Sequence, residues 1–416
     1  MEKGSRMISP EEIEHVVALS RQWADRPPDR ILFERSDLDP QVRSQVALQV
    51  SLLDKMAKKI PHFLECGGYI PRRVNFEQCS SEPAAEYKQR LLSPSDRILD
   101  MTGGLGIDTA AMASVTRHSE VLEIEPEMAL ALEYNLSRLL PPGRAMVTCG
   151  DALARLDHTL LDGITLVYAD PARRDMADPG RRLSSMADYT PAPLQILSRL
   201  QELDYGGRLL LKLSPMLDIH WLLEQLPTCT DLHILQVGDE VKELLLDLSM
   251  QPVTSPVMIH LSIVDRQGEV TSRSYPLPTS LTAETPYATQ IESYIHIPRP
   301  VLMKSGAYHL IAAEQGIRLF GPNTHLYTSP QPAPDPLYKS YRVLEEIPYS
   351  KSVLKGKALK SLLERYPALS IMSRHFPLTA EELRGRLRTD ESDRYFLLAT
   401  TLGERDRKLL ILSRDD

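Results

Sequence analysis

Hydrophobic and polar positions follow three successive patterns along this chain. Up to residue 95 the apolar residues recur at helical spacing, which predicts a mostly helical region. Between residues 96 and 266 short apolar runs alternate with amphipathic runs, and this order predicts a parallel sheet with covering helices. From residue 339 to 416 short strands alternate with helices, which is typical of a compact α+β domain.

The helical region contains two clear helix starts. Segment 9–12 (SPEE) has a serine N-cap, a proline at the first helical position and a glutamate placed for a capping box. Segment 39–40 (DP) starts a second helix that ends before residue 61, with one apolar face formed by Val42, Val46, Val50 and Leu53. We interpret both helices as a packing scaffold. The polar segment 77–82 is either a loop that closes over a ligand or an exposed linker.

Six strands are predicted at 97–100, 120–124, 145–148, 164–169, 208–213 and 232–237. Two further strands, 243–249 and 257–264, have no helix between them, which favours an antiparallel pair at the edge of the sheet. Residues 267–281 have the composition of a polar linker. Residues 291–320 repeat strand, helix and strand on a smaller scale.

A glycine-rich turn follows the first predicted strand. Gly104 and Gly106 fit the first two glycines of the dinucleotide fingerprint G-x-G-x-x-G, but Thr109 stands at the third. A nucleoside without a pyrophosphate therefore fits better than a dinucleotide. The alternative is a glycine-rich turn that binds no ligand.

Acidic residues end the first four strands, at Asp100, Glu123, Asp151 and Asp170. Because the carboxyl ends of parallel strands meet at one edge, these side chains are expected to converge there. Glu123 is placed to accept hydrogen bonds from a ribose diol, with Glu125 as a competitor. Asp151 is a candidate acceptor for an adenine amine, and Asp100 is a candidate partner for an ammonium group.

Composition narrows these possibilities only slightly. The net charge of −8 argues against a generally basic nucleic-acid binder, yet residues 339–416 carry 16 basic and 12 acidic side chains. No apolar run of about 18 residues predicts a membrane span, and the N-terminus lacks the apolar core of a signal peptide. The four cysteines have no metal-ligand spacing, so we expect a cytoplasmic protein without a metal.

The motifs DMTGGLGID, EIEPEMALALEYN, CGDA and YADPARR resemble, in order and spacing, the class I S-adenosylmethionine-dependent methyltransferases. Further motifs, among them EQCSSE, LKLSPMLDI, EVKELLL and YFLLATTLGERDRKLLIL, resemble one bacterial family of such enzymes. This resemblance implies a Rossmann-like α/β sheet, mostly parallel with an antiparallel edge pair. It also implies four domains: a helical region at 1–95, a methyltransferase domain at 96–266, a ferredoxin-like domain at 275–325 and a THUMP-like domain at 339–416.

The resemblance assigns roles to residues of this sequence. The cofactor S-adenosylmethionine would be bound by Glu123 at its ribose and by Asp151 with Ala152 at its adenine. Asp170 and Pro171 would face its methyl group as the catalytic pair. Its methionine part would be held by the turn after the first strand, with Asp108 just beyond it. The residues concerned are Asp100, Thr102, Gly103, Gly104, Gly106 and Asp108.

The substrate side departs from the pattern of base amine methyltransferases, which is D/N-P-P-aromatic. Ala172 and Arg173 stand in the last two places, so Arg173 either stacks on a base or, with Arg174, pairs with a nearby aspartate. Lys212 is a candidate for the rim of the site or an ordinary solvated lysine. No cysteine follows the motif, so methylation of carbon through a thiolate adduct is not expected.

THUMP domains are associated with RNA, and residues 339–360 combine basic side chains with tyrosines. Three of the lysines, here called the lysine triplet, are candidate RNA contacts: Lys351, Lys355 and Lys357. The favoured function is therefore N-methylation of a base in tRNA or rRNA. Two alternatives are methylation of a protein or small molecule, and a cofactor-binding module without turnover. The oligomeric state is not predicted.

Overall fold

The computed structural model describes residues 6–33, 37–173, 186–277, 286–321, 324–333 and 335–414. The chain divides into two compact units. The first consists of Met1–Gly238, Lys242–Val257 and Ile263–Val270, and the second of Asp239–Val241, Met258–Ser262 and Thr271–Asp416.

The first unit begins with six helices: α1 (Pro10–Gln22), α2 (Pro28–Phe33), α3 (Pro40–Lys59), α4 (Pro61–Glu65), α5 (Arg73–Gln78) and α6 (Glu82–Gln89). The predicted capping box of α1 is confirmed, since Ser9 and Glu12 exchange side-chain to backbone hydrogen bonds. The predicted N-cap of α3 is also confirmed, because Asp39 accepts from two backbone N–H groups. On α3, Leu52 is fully buried where the periodicity favoured Leu53, which is half-buried.

A sheet of nine described strands follows. Its strands are β1 (Arg97–Asp100), β2 (His118–Glu123), β3 (Ala145–Cys149), β4 (Leu166–Ala169), β7 (Arg208–Leu213), β8 (Cys229–Val237), β9 (Glu240–Ser249), β10 (Met258–Val264) and β11 (Val270–Pro276). Two short strands, β5 (Ala172–Arg173) and β6 (Tyr189–Thr190), pair with each other outside it. The connecting helices are α7 (Ile107–Val115), α8 (Pro126–Leu139), α9 (Ala152–Arg155), α10 (Pro193–Glu202) and α11 (Ile219–Gln225).

The strand order is β11-β10-β8-β9-β7-β4-β1-β2-β3. Strands β3, β2, β1, β4 and β7 run parallel, whereas β9 is antiparallel to β7. The first five strands therefore have the 3-2-1-4-5 order of a doubly wound fold, and their carboxyl ends share one edge. This arrangement confirms the predicted Rossmann-like, mostly parallel α/β sheet.

Two details of the sheet differ from the sequence analysis. The strands β9 and β10 were expected to pair, but β8 lies between them. Part of the segment interpreted as a polar linker is instead the edge strand β11, which joins β10 through a tight turn at Asp265 and Gly268. The alternating serines of β11 look like linker composition, yet Ser272 and Ser274 bond across to β10.

The N-terminal helices pack onto the sheet's own helices. Buried side chains of α3 to α6 form one cluster with residues of α7 and α8, among them Ile107 and Met128. Within this packing Asn135 of α8 is buried and bonds the backbone of Tyr69 and Leu105. Because buried amides need such partners, this contact fixes α8 against the glycine turn.

The second unit is built on a seven-stranded sheet with the order β13-β14-β12-β15-β18-β17-β16. Its strands are β12 (Tyr294–Pro298), β13 (Arg318–Leu319), β14 (Tyr327–Ser329), β15 (Tyr338–Pro348), β16 (Ser370–Ser373), β17 (Tyr395–Leu402) and β18 (Asp406–Ser413). Its helices are α12 (Pro300–Ser305), α13 (Tyr308–Gln315), α14 (Gly356–Arg365) and α15 (Ala380–Leu387).

Alternate residues of the central strand β17 enter two separate cores. Phe396 and Leu398 join the apolar cluster on one face, and Leu397 and Ala399 join the cluster on the other. This period of two is what a strand covered on both faces requires. Strand β12 pairs directly with β15, so segments 275–325 and 339–416 contribute to a single sheet. No helix among the described residues is long and apolar enough to cross a membrane.

Candidate functional site

The end of β1 carries a buried carboxylate. Asp100 is 1% exposed and accepts from Thr102 N at 2.9 Å and from Thr109 Oγ1 at 2.5 Å. Burial raises the pKa of Asp100 to about 7, although the hydrogen bonds from Thr109 and Thr102 act in the opposite direction. The residue at the place of the missing third glycine, Thr109, therefore serves to bind Asp100.

The glycines of the turn have two different roles. A Cβ atom on Gly103 would lie 2.3 Å from Leu132 Cδ2, and one on Gly106 would lie 2.8 Å from Leu132 Cδ1. These two positions lack side chains because α8 packs directly against the turn. Gly104 instead has φ of +52°, and a Cβ atom there would have only Thr102 O within 4 Å, at 3.9 Å, so glycine is favoured here by the backbone conformation and not by packing.

Glu123, at the end of β2, holds this turn. Its Oε2 atom accepts from Gly104 N at 3.0 Å, and its Oε1 atom accepts from Glu125 N at 3.0 Å. The competitor Glu125 is exposed, and its carboxylate pairs with Arg72. Of the two acidic candidates for a ribose, Glu123 is therefore the one beside the glycine turn.

Asp151 follows β3 and caps α9. Its Oδ1 atom accepts from Leu153 N at 2.9 Å and from Ala154 N at 3.3 Å, and Ala152 is buried as the first helical residue. Asp151 is itself exposed. Gly150 N donates to Glu123 O at 2.8 Å, which joins the loop after β3 to the loop after β2.

Asp170 joins the fourth strand end to the first. Its backbone N–H donates to Thr102 Oγ1 at 2.8 Å, and Pro171 beside it is buried. Hydrogen bonds thus connect the loops after β1, β2, β3 and β4. The four acidic strand ends that the sequence singled out lie on one connected edge.

Asp170 belongs to a group of five charged side chains, here called the ion cluster: Lys88, Asp108, Asp170, Lys212 and Glu243. Lys212 Nζ lies 2.6 Å from Asp170 Oδ2, 3.4 Å from Asp108 Oδ2 and 3.8 Å from Glu243 Oε2. Lys88 Nζ lies 2.6 Å from Glu243 Oε1 and 3.1 Å from Asp108 Oδ1. Each lysine therefore bridges at least two carboxylates.

Burial sets the electrostatics of the ion cluster. Desolvation alone would lower the pKa of Lys212, but the carboxylates of Asp170, Asp108 and Glu243 raise it well above the usual value. Desolvation also opposes the charge of Asp108, yet Lys88 and Lys212 hold the pKa of that carboxyl below its usual range. Burial raises the pKa of Glu243 despite its two lysine partners.

Two neutral side chains complete this arrangement. Asp108 Oδ2 accepts from Ser80 Oγ at 2.8 Å and from Tyr168 OH at 2.8 Å. Lys212 Nζ also donates to Ser80 Oγ at 2.8 Å. The polar segment 77–82 contains the end of α5 and the start of α6, and the connection between these helices is fixed to the ion cluster through buried Ser80, whereas Glu77 and Gln78 are exposed.

Two of these residues have partners other than those predicted from the sequence. Asp108 was expected to bind a cofactor, but its carboxylate contacts Lys88, Lys212, Ser80 and Tyr168. The alternative of a solvated Lys212 is wrong, because its side chain is 11% exposed and paired.

Lys88 and Glu243 were missed entirely. Glu243 left a signal, since it interrupts an apolar strand in EVKELLL, where a charge needs a buried partner. Lys88 left none, because a lysine on an amphipathic helix normally faces water.

The other substrate-side candidates are Arg173 and the lysine triplet, and the structure does not bring them into the ion cluster. The backbone of Arg173 pairs with Tyr189 in β5 and β6, while its side chain and Arg174 lie outside what the structure describes. The lysine triplet is exposed in the second unit. The nearby tyrosines are not a stacking surface, since Tyr338 and Tyr341 are buried and Tyr349 packs edge-to-face on Phe376. The described residues contain no group of three or more His, Cys, Asp or Glu side chains suited to a metal.

Comparison with solved structures gives a match over nearly the whole chain. It superimposes on the crystal structure of a "putative methyltransferase" from Porphyromonas gingivalis W83 with a TM-score of 0.86 and 31% identity, over 99% of this chain and 100% of that one. A "putative class I S-adenosylmethionine-dependent methyltransferase" from Listeria monocytogenes matches at 10% identity and a TM-score of 0.36, over 62% of this chain and 92% of that one. An rRNA methylase from Streptococcus thermophilus matches at 16% identity and a TM-score of 0.29, over 40% and 95%. The last two likenesses are too weak to carry an argument.

Three family models also match. They are described as an "N-terminal domain in putative methyltransferase" at residues 8–52, a "ferredoxin-like domain" at 294–335 and a "THUMP domain-like" region at 338–415. No curated protein matches the chain. Because the likeness to the Porphyromonas protein spans both chains at 31% identity, this chain belongs to the family of that "putative methyltransferase" and carries its N-terminal, ferredoxin-like and THUMP-like domains.

Proposed function

We propose that this protein is an S-adenosylmethionine-dependent methyltransferase that methylates RNA. The observation that carries the proposal is the connected edge at β1 to β4, where Glu123 accepts from the backbone N–H of Gly104 and Asp170 is bonded to Thr102. Convergent polar groups beyond the carboxyl ends of parallel strands are the usual ligand site of such sheets.

The residues present fit this cofactor. Each Glu123 oxygen accepts one backbone hydrogen bond and retains capacity for ribose hydroxyls, because a carboxylate has about four acceptor sites. The turn at Gly104 would admit the methionine part, with Thr102 and Asp100 beneath it. Exposed Asp151 would accept from the adenine amine while it caps α9. When bound, the cofactor supplies a methyl group on a good, neutral leaving group.

RNA is the proposed substrate because of the THUMP-like match and the basic excess of residues 339–416. The sequence favours an exocyclic base amine as acceptor, with Asp170 accepting from it. The exposed lysine triplet would contact phosphates in this proposal, in the cytoplasm and without a metal. A hydroxyl acceptor is a second candidate, which the pairing of Lys212 with Asp170 in the ion cluster favours. A protein or small-molecule substrate remains the competing class.

Transfer of a radiolabelled methyl group tests the substrate class. Purified protein and labelled S-adenosylmethionine are incubated with total RNA, total protein and metabolites from cells that lack the protein. We expect label in RNA. Label in protein or metabolites alone would exclude RNA, and no transfer to any fraction would favour a module without turnover.

The division of labour between the two units gives a second test. Asp170→Ala should reduce turnover with little change in RNA affinity, because Asp170 acts on the reacting group. Replacing the lysine triplet with Ala should do the reverse, and should flatten the salt dependence by about 0.7 per lost phosphate contact on single-stranded RNA. Binding measured at several salt concentrations decides. Unchanged affinity and slope in the triple variant would refute the assignment of the lysine triplet to RNA.

A further inference from the structure

The ion cluster reaches the surface at one of its members. The side chains of Lys88 and Glu243 are 0% and 3% exposed, whereas that of Asp170 is 35% exposed. Lys212 is the link between them, since it contacts Asp170 on one side and Glu243 on the other. At the edge proposed to face the methyl group, the cluster therefore exposes the Asp170 carboxylate. The Lys212 ammonium lies directly behind it, 11% exposed, and donates to Asp170, Ser80 and Asp108.

The charges of the cluster explain why Lys212 stays protonated there. Three carboxylates surround two ammonium groups, so Lys88 and Lys212 both have carboxylate partners that favour their charged form. The carboxylates raise the pKa of Lys212 even against its burial. A protonated lysine has three donors and no lone pair, so Lys212 is a hydrogen-bond donor and not a base.

This pair of groups discriminates between acceptors. An exocyclic base amine offers N–H donors, and its nitrogen lone pair is delocalised into the ring, so the Lys212 ammonium has nothing to bind on it. A hydroxyl is both donor and acceptor. It can give its proton to Asp170 while its oxygen takes over the Lys212 N–H that Asp170 accepts in the structure, and a positioned donor of this kind stabilises the negative charge that develops on the oxygen.

We propose that the acceptor is a ribose 2′-hydroxyl of RNA, with Asp170 as the proton acceptor and Lys212 as the cation that stabilises the oxygen. This inference rests on the proposed function and names its acceptor atom. The 2′-hydroxyl is the hydroxyl that each internal RNA nucleotide carries in addition to its backbone linkages. Lys88 and Glu243 act as positioning residues: Glu243 contacts Lys212, and Lys88 holds Glu243 and Asp108, two of the carboxylates that pair with Lys212.

The reaction balances with these groups. The O–H bond of the hydroxyl breaks and its proton passes to the Asp170 carboxylate, while the oxygen forms a bond to the methyl carbon. The bond between that carbon and the sulfonium sulfur breaks, and its electron pair stays on sulfur. The products are a methyl ether, a neutral thioether and one proton, which Asp170 releases to solvent.

Alkaline hydrolysis of the labelled RNA identifies the acceptor. A 2′-O-methyl group removes the nucleophile that alkali needs, so the label should appear in alkali-stable dinucleotides. Label in mononucleotides would mean base methylation, which overturns this inference and leaves the proposed function standing. No label in RNA at all would overturn the proposed function itself.

Variants of the cluster test the two roles. Lys212→Met should lower turnover by about 100- to 1000-fold, the usual effect of removing a donor to a developing oxyanion. Calorimetry should show unchanged affinity for S-adenosylhomocysteine, since Lys212 acts on the acceptor, and Lys55→Met, an exposed lysine on α3, is the matched control.

Asp170→Asn provides a second route because its side chain is partly exposed and tolerates the change more readily than the buried lysines. It should lower turnover strongly, because an amide cannot take the proton of the hydroxyl. Full activity in either Lys212→Met or Asp170→Asn would overturn the assignment.

Discussion

Removal of the Lys88 ammonium tests whether the ion cluster stabilises the fold of the first unit. The side chain is fully buried, lies 2.6 Å from Glu243 and 3.1 Å from Asp108, and donates to Ala84 O at 3.3 Å. Removing one partner of a buried pair leaves an uncompensated charge, which costs about 3–5 kcal/mol. Lys88→Met keeps the length and apolar stem of the side chain, so we expect the free energy of unfolding to fall by that amount.

The loss should depend on pH in a defined direction. Burial raises the pKa of Glu243 above its unfolded value, so the folded state binds a proton at this group more tightly than the unfolded chain does. Without Lys88 this preference grows, and stability falls as pH rises above the unfolded pKa toward the folded one. The cost of Lys88→Met should therefore be smaller at pH 5 than at pH 8.

Urea unfolding of the full chain, followed by circular dichroism, measures the effect. Lys55→Met, an exposed change on α3, should stay within about 0.5 kcal/mol of the parent. The double variant Lys88→Met with Glu243→Gln should recover much of the loss, because the orphaned charge is gone. If Lys88→Met unfolds at the same urea concentration as Lys55→Met, the Lys88 ion pairs do not contribute to the free energy of unfolding, and the reasoning is refuted.

Three further predictions concern the strand ends. Glu123→Ala should weaken binding of S-adenosylhomocysteine by about 1–3 kcal/mol in calorimetry, while Glu125→Ala binds normally; the opposite result would place the ribose at Glu125. Because burial raises the pKa of Asp100 from 3.8 to about 7, the folded state holds an extra proton between these values and stability should fall as pH rises through that window, an effect absent in Asp100→Asn. Gly103→Ala should destabilise the fold by about 1–3 kcal/mol in thermal unfolding, since its Cβ meets the buried Leu132; an unchanged midpoint would mean that α8 yields.

The periodicity of the chain predicted most of the first unit because its strands and helices bury continuous faces. The capping box at Ser9 and the N-cap at Asp39 are local signals that no tertiary contact overrides. Strand pairing was harder to predict: β9 follows β8 along the chain and then inserts between β8 and β7, a choice that nothing local specifies. The serines of β11 bond across strands, so their polarity imitated a linker.

The edge with the acidic strand ends was predictable since parallel strands bring their carboxyl ends together. The interior beneath it was not. Lys88 comes from a helix that precedes the sheet, and Glu243 from a strand that enters it late, 155 positions apart. Only the tertiary fold brings them to Asp108 and Lys212. The tyrosines near the lysine triplet show the opposite case. Composition suggested an exposed basic and aromatic surface, but Tyr338 and Tyr341 are buried in the core of the second unit.

Calorimetric titration of the purified protein with S-adenosylhomocysteine, beside a matched titration with NAD, tests whether the edge at β1 to β4 binds S-adenosylmethionine and not a dinucleotide. The account predicts saturable binding of S-adenosylhomocysteine at one site per chain, weakened by Glu123→Ala, and no binding of NAD, because Thr109 occupies the place of the third glycine and its hydroxyl is bonded to Asp100. Binding of NAD without binding of S-adenosylhomocysteine would contradict the account.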